Sequence, residues 1–196
     1  MKQHALLILA VVGGAILVAT ALCAQSMPDG YTLYGVRCAL IQQQIMGRAW
    51  SSVMLAQIEQ ESYWNPRAES PFAQGLTQFT PATREAVARK YGLTVDIMNA
   101  EDACRLQSYL VRDLARSLGP RFDNFYSQWA AVLRSYNGPP HLFLREWRAA
   151  GSPQNAFLVL PEHCVRVDWA CKENTEYPIR ILIRKWYRYY WIWEGR

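Results

Sequence analysis

Apolar positions in this chain recur at three- and four-residue intervals over most of its length and almost never alternate. Side chains three and four residues apart share one face of an α-helix, so this period predicts amphipathic helices. Residues 39–60 place Ile45, Ala49, Val53, Met54 and Ile58 at helical intervals, with Gly47 as the only glycine, and predict a first helix. Thr80-Pro81 reads as an N-cap followed by proline in the first turn, and Gly92 ends that helix. Asn99 caps a segment bearing Ala103, Leu106, Leu110, Leu114 and Leu118 at helical spacing, stopped by Gly119-Pro120. A fourth helix is expected over about 123–136, before Gly138-Pro139-Pro140, then shorter pieces near 142–150 and a last helix over roughly 175–193. No convincing strand pattern, internal repeat or low-complexity tract is present, so the expected fold class is mainly α with short irregular connections.

The amino terminus breaks this pattern. Residues 5–24 form an uncharged run rich in Leu, Ile, Val and Ala behind Lys2, which reads as an export segment. Ala19-x-Ala21 offers a cleavage site before Leu22, with a second cut after Cys23 or Ala24 as the alternative, and Leu22 disfavours lipoprotein processing at Cys23. Left uncleaved, ~20 apolar residues suffice to cross a bilayer, and Lys2 would hold the N-terminus in the cytoplasm. Signal peptide and membrane anchor thus remain as two readings of 1–24. Both put the rest of the chain in the periplasm or exported, with inner-membrane anchoring in the second case.

The cysteines suit an oxidising space. Setting Cys23 aside leaves Cys38, Cys104, Cys164 and Cys171, an even number that allows three pairings. The most local bridge joins Cys164 to Cys171 and leaves Cys38 with Cys104 to tie the first helix to a later one; separate buried thiols are the alternative. A zinc site with His163 is poorly supported without a Cys-x2-Cys pair, and no metal is expected.

A length of 196 residues with 51% hydrophobic and 19% charged positions suits one main globular domain. The net charge of +5 is unevenly placed: Lys2 holds one charge, and Arg180, Arg184, Lys185, Arg188 and Arg196 against Glu194 hold four. The body is therefore neutral, which argues against a nucleic-acid groove across it. The basic C-terminal segment also carries Trp186, Tyr187, Tyr189, Tyr190, Trp191 and Trp193. Two readings stand for it: a helix end packed on the domain, or an extension that meets a membrane surface or a partner protein.

Candidate chemistry concentrates in residues 61–83. Glu61 lies three residues after Ile58 and seven after Met54, so it ends an apolar stripe and is expected to point to the core side, while Glu59 faces away. A carboxyl at the mouth of an apolar cleft loses solvation when ionised, its pKa rises, and it becomes a general acid near neutral pH. The plainer alternative is a solvated last-turn glutamate.

Glu61-Ser62, Pro66-x-Ala68-x-Ser70, Gly75-Leu76-x-Gln78 and Pro81-x-Thr83 resemble, in order and spacing, the catalytic motif of the lytic transglycosylases related to the soluble type, which have a goose-lysozyme-like fold. The loop before Gly75 is one residue shorter than the family's usual form, and Thr77 stands where Met is frequent. Ser135-Tyr136-Asn137-Gly138 resembles the family's Ala-Tyr-Asn-Ala-Gly, with one Ala replaced and one absent. Glu173 to Ile181 is similar to its Glu-Thr-x-x-Tyr-Val-x-x-Ile segment, with Pro178 in place of Val.

The resemblance implies a lysozyme-like domain over 25–182 followed by a basic aromatic helical extension, 183–196. It implies peptidoglycan as substrate and Glu61 as the single catalytic residue, first acid and then base, with no metal or cofactor. Ser70, Gln78 and Asn137 would bind or orient the sugar, Tyr136 and Tyr177 would line the glutamate's pocket, and Glu173 would be structural or site-lining. Wall opening for a conjugation or secretion apparatus is the expected setting. A phage-type signal-arrest endolysin, a goose-type muramidase and a non-catalytic wall-binding assembly factor are the rivals.

Overall fold

The computed structural model describes residues 27–193. The residues read as an export segment lie outside these, and among the described residues no helix is long and apolar enough to cross a membrane. The order of elements is α1 (Asp29–Met46), α2 (Arg48–Ser62), α3 (Pro81–Tyr91), α4 (Ala100–Leu118), α5 (Phe125–Asn137), α6 (Pro140–Ala149), α7 (Asp168–Leu182) and α8 (Trp186–Trp193), with short 3-10 turns between some of them. Two isolated antiparallel bridges, Glu69 with Gln74 and Gln74 with Phe79, are the extended pairing among the described residues.

Local chemistry accounts for most helix starts. Thr80 accepts from the Thr83 amide ahead of Pro81, Asn99 from the amides of Glu101 and Asp102, and Asn124 from that of Ser127. Gly92 closes α3 in the left-handed conformation. Two expected helices are each divided in the structure. The segment expected over 39–60 begins earlier and breaks at Gly47, whose φ of 88° takes it out of helical geometry. The segment expected over 175–193 begins at Asp168 and turns between Leu182 and Trp186, so α8 folds back onto the body.

Helix α2 is the buried axis of the molecule. Ser51 to Glu59 are all buried, polar and apolar alike, because α1, α7 and α8 pack around this helix. A helix enclosed on all sides cannot show a clean amphipathic stripe. The disulfide Cys38–Cys104 ties α1 to α4, and Cys164–Cys171 closes the loop that leads into α7.

The last helix packs on the body. Tyr189 is fully buried among Tyr31 and Trp64, with ring centroids at 5.5 and 6.2 Å. Trp186 donates to Ser52 Oγ at 2.7 Å and meets Phe125 and Tyr126. Trp191, 61% exposed, marks the outer face. Glu59 explains the docking and corrects the expectation that it faces away: it is 3% exposed and binds Lys185 Nζ at 3.0 Å, Tyr189 Oη at 2.6 Å and Arg188 Nη2. A buried carboxylate needs such partners, and the basic tail supplies them.

Candidate active site

Helix α2 ends at Ser62, and Tyr63 and Trp64 follow with φ of 52° and 66°. This left-handed exit turns the chain sharply, so Glu61 sits at the last helical turn with the 65–80 loop folded beside it. Ser62 Oγ fastens the junction by donating to the Leu76 carbonyl at 2.7 Å. Gly75 is required here: its φ is 78°, and a Cβ would lie 2.3 Å from the Ile97 carbonyl oxygen.

The loop consumes two of the residues that the resemblance marks for substrate. Ser70 Oγ accepts from the Ala73 amide at 3.0 Å and donates to the Ala73 carbonyl at 3.2 Å, which closes its own turn. Gln78, held at φ 49°, donates its amide hydrogens to the carbonyls of Ala68 at 3.1 Å and Gly75 at 2.9 Å. Both residues build the loop, and Gln78 also lines a small pocket with Phe79, Thr80, Thr83, Leu110 and Tyr136.

Two helices deliver the polar groups around Glu61. From α7, Tyr177 Oη donates to Glu61 Oε1. From α5, Tyr136 Oη donates to the Thr77 carbonyl at 2.8 Å while its ring meets Phe79 edge-on. Burial is the main reason the Glu61 carboxyl is raised to about 8; the Tyr177 hydrogen bond opposes this and the negative charge of Glu173 adds to it. Burial, and then the charge of Glu61, also raise both phenols, so Tyr136 and Tyr177 stay protonated donors at neutral pH. Glu173 acts on Glu61 through its field only, since Arg180 Nη1 holds its two oxygens at 2.9 and 3.1 Å.

Two cavities that meet at Asn137, Gly138 and Pro139 form a groove, which Tyr136 links to this centre. One cavity of about 340 Å³ is lined by Thr80, Thr83, Leu110, Tyr136, Asn137 and Pro139 among others. A second, about 310 Å³, is lined by Asn137, Leu142, Arg166, Trp169 and Glu173 among others, and shares Asn137, Gly138 and Pro139 with the first. Tyr136, Asn137 and Glu173 therefore face the groove, whereas Glu61, Tyr177 and Ser70 line neither cavity. A larger cavity of about 470 Å³, formed by Pro161, Cys164, Arg166, Asp168 and the start of α7, contains none of the residues around Glu61.

Behind the groove lies a cluster that the residue pattern did not reveal. Glu146 pairs with Arg134 at 3.1 Å and Arg166 at 2.7 Å, the first two buried and Arg166 partly so. Asn174 accepts from Arg134 Nε at 3.1 Å and donates to the Arg134 carbonyl at 2.8 Å and to Asn137 Oδ1 at 3.2 Å. The cluster locks α5, α6 and α7 together and fixes the Asn137 side chain. Its only sequence signal was scattered charge, which is usually solvated.

A family model described as the transglycosylase SLT domain matches residues 39–156. Comparison with curated proteins and with solved structures finds no match for the chain. The matched segment spans α2, the 65–80 loop and α5, and it covers more than half of the chain. With its helical lysozyme-like fold, the chain belongs to the transglycosylase SLT domain family and is a peptidoglycan lytic transglycosylase.

Proposed function

We propose that Glu61 carries the reaction alone, cleaving the β-1,4 bond between N-acetylmuramic acid and N-acetylglucosamine and leaving 1,6-anhydromuramoyl ends. The supporting observation is the contrast among carboxylates: Glu61 is half-buried with its carboxyl desolvated, raised to about 8 and, among the described residues, paired with no cation, whereas Glu173 is held by Arg180 and Glu59 by Lys185 and Arg188. Ordinary glycosidases use two carboxylates, roughly 5–9.5 Å apart depending on stereochemistry. Here one carboxyl serves twice. Protonated Glu61 gives its proton to the glycosidic oxygen; the muramyl C6 hydroxyl attacks C1, closing the anhydro ring as the old bond breaks, and its proton passes to the Glu61 carboxylate. Atoms and charge balance without a water molecule, and the enzyme ends in its starting protonation state. Tyr136 and Asn137, which face the groove, are the proposed contacts to the sugar, and Ser70 and Gln78 act by shaping the loop.

Mass spectrometry of muropeptides released from sacculi tests this reading. Anhydro ends made by the wild type and absent with Glu61→Gln are the expected result; reducing ends would replace it with a hydrolytic muramidase. The proposed setting is local wall opening in the periplasm for a conjugation or secretion apparatus, supported by the export segment and the even set of cysteines. Substrate transfer through that apparatus, compared between wild type and Glu61→Gln strains, measures this directly.

A further inference from the structure

The core contains an unbroken series of side-chain hydrogen bonds that ends at Glu61. Ser51 Oγ donates to Gln42 Oε1 at 3.3 Å, Gln42 Nε2 to Gln107 Oε1 at 2.9 Å, and Gln107 Nε2 to Gln57 Oε1 at 3.0 Å. Gln57 Nε2 then donates to Tyr177 Oη at 3.0 Å, and Tyr177 Oη to Glu61 Oε1. Gln42, Ser51, Gln57 and Gln107 are fully buried. Three buried primary amides are expensive to desolvate, and aliphatic side chains would fill the same space without that cost.

The series has a direction, and a backbone group sets it. A glutamine amide offers an acceptor on one side and donors on the other, and turning it over exchanges them. The Met54 carbonyl, which can only accept, receives a second bond from Gln107 Nε2 at 3.3 Å. The nitrogen of Gln107 must therefore lie on the Met54 side, where it also faces Gln57, and its oxygen must face Gln42. Gln57 in turn presents its oxygen to Gln107 and its nitrogen to Tyr177. With a donor already pointing at its oxygen, Tyr177 has one hydrogen to place, and it goes to Glu61.

We infer that Gln57, oriented by Gln107 and Gln42, is a positioning residue that fixes the Tyr177 hydroxyl as a donor to Glu61 Oε1 and so confines the transferable proton to Glu61 Oε2. Tyr177 occupies Oε1 in both protonation states of the acid, so one oxygen both releases and recovers the proton. The amides move no proton themselves; they prevent the phenol from reversing. The inference rests on Glu61 as the acid and base proposed above.

A double-mutant cycle on the full chain tests it, with muropeptide release from sacculi followed across pH. Gln57→Met, close in shape but without a donor, is expected to lower the rate on the order of tenfold and to move the loss of activity at high pH further upward, because a free phenol donates less firmly to Glu61. In the Tyr177→Phe background the same substitution is expected to change neither rate nor pH profile, since no phenol remains to be oriented. Equal losses in both backgrounds, or a wild-type rate and profile in Gln57→Met, would overturn the inference. Gln107→Met removes the orienting partner one step further back and is expected to show a smaller loss with the same dependence on Tyr177. It decides the question if Gln57→Met does not fold. Failure of the underlying reading is seen separately, as cleavage surviving in Glu61→Gln.

Discussion

Glu59 and Glu61 stand two residues apart on α2, both turned into the protein, and the structure treats them oppositely. Glu59 receives Lys185, Arg188 and the hydroxyl of Tyr189, so its charge is matched from α8 and the turn before it. Glu61 receives one phenol, lies near a second, and has Glu173 rather than a cation in its surroundings. The first arrangement suits an ion that holds two parts of the chain together. The second suits a proton that is held at neutral pH and given away in a reaction. Burial alone does not make a carboxyl an acid; the identity of what is buried with it does.

The sharpest way to break this contrast is to remove both carboxylates in turn. Glu61→Gln is expected to lower peptidoglycan cleavage by at least about 10²–10⁴-fold with helicity retained and no loss of melting temperature, as expected for loss of an acid–base group. Glu59→Leu is expected to do the reverse. It leaves Lys185 and Arg188 without their partner and costs about 3 kcal/mol, read as a lower midpoint in urea, while cleavage per folded molecule persists. Activity loss without destabilisation in Glu59→Leu would erase the distinction.

Tyr177→Phe comes next in size. Removing the donor at Glu61 Oε1 is expected to slow cleavage roughly tenfold, less than loss of the acid itself. The same change raises the acid further, because the lost hydrogen bond was the one interaction opposing burial, so the fall in activity at high pH moves upward.

Titration supplies the smallest effect and the clearest sign. The Glu61 carboxyl rises from 4.5 to about 8 on folding, so between these values the folded state binds the proton that the unfolded state has released. Stability from this group is therefore complete below the unfolded value and is lost as pH rises through about 8. Glu61→Gln does not titrate. It is expected to match wild type in melting at pH 5 and to exceed it by roughly 1–3 kcal/mol at pH 9. Wild-type cleavage is expected to decline through the same upper pH range. A variant advantage that is equal at both pH values would show that the carboxyl is solvated.

Much of the site was legible along the chain because its signals are local. Thr80, Asn99 and Gly92 announce helix ends through bonds made within four residues. Glu61 closes the stripe of Met54 and Ile58, a position that a solvated glutamate could equally hold, and it was singled out by its order with the residues up to Thr83 in the family motif. Gln57, one helical turn before Glu61, carried no such signal, since a glutamine in a helix is ordinarily solvated. Gly47 was visible, but its effect on a long periodic segment was not. Ser70 and Gln78 were visible too, yet their hydrogen bonds are spent inside the loop.

The amino-acid sequence by itself determined the helical class, an even set of cysteines and, through the family resemblance of its motif, the carboxyl to look at, because each depends on local pattern, order or residue count. Tertiary structure decided which glutamate meets cations and which meets a phenol. The partners of Glu59 lie 126 to 130 residues away in sequence, and Tyr177 lies 116 residues from Glu61. No periodicity spans such distances, and the electrostatic environment of a buried group is the sum of whatever packing brings within a few ångströms of it.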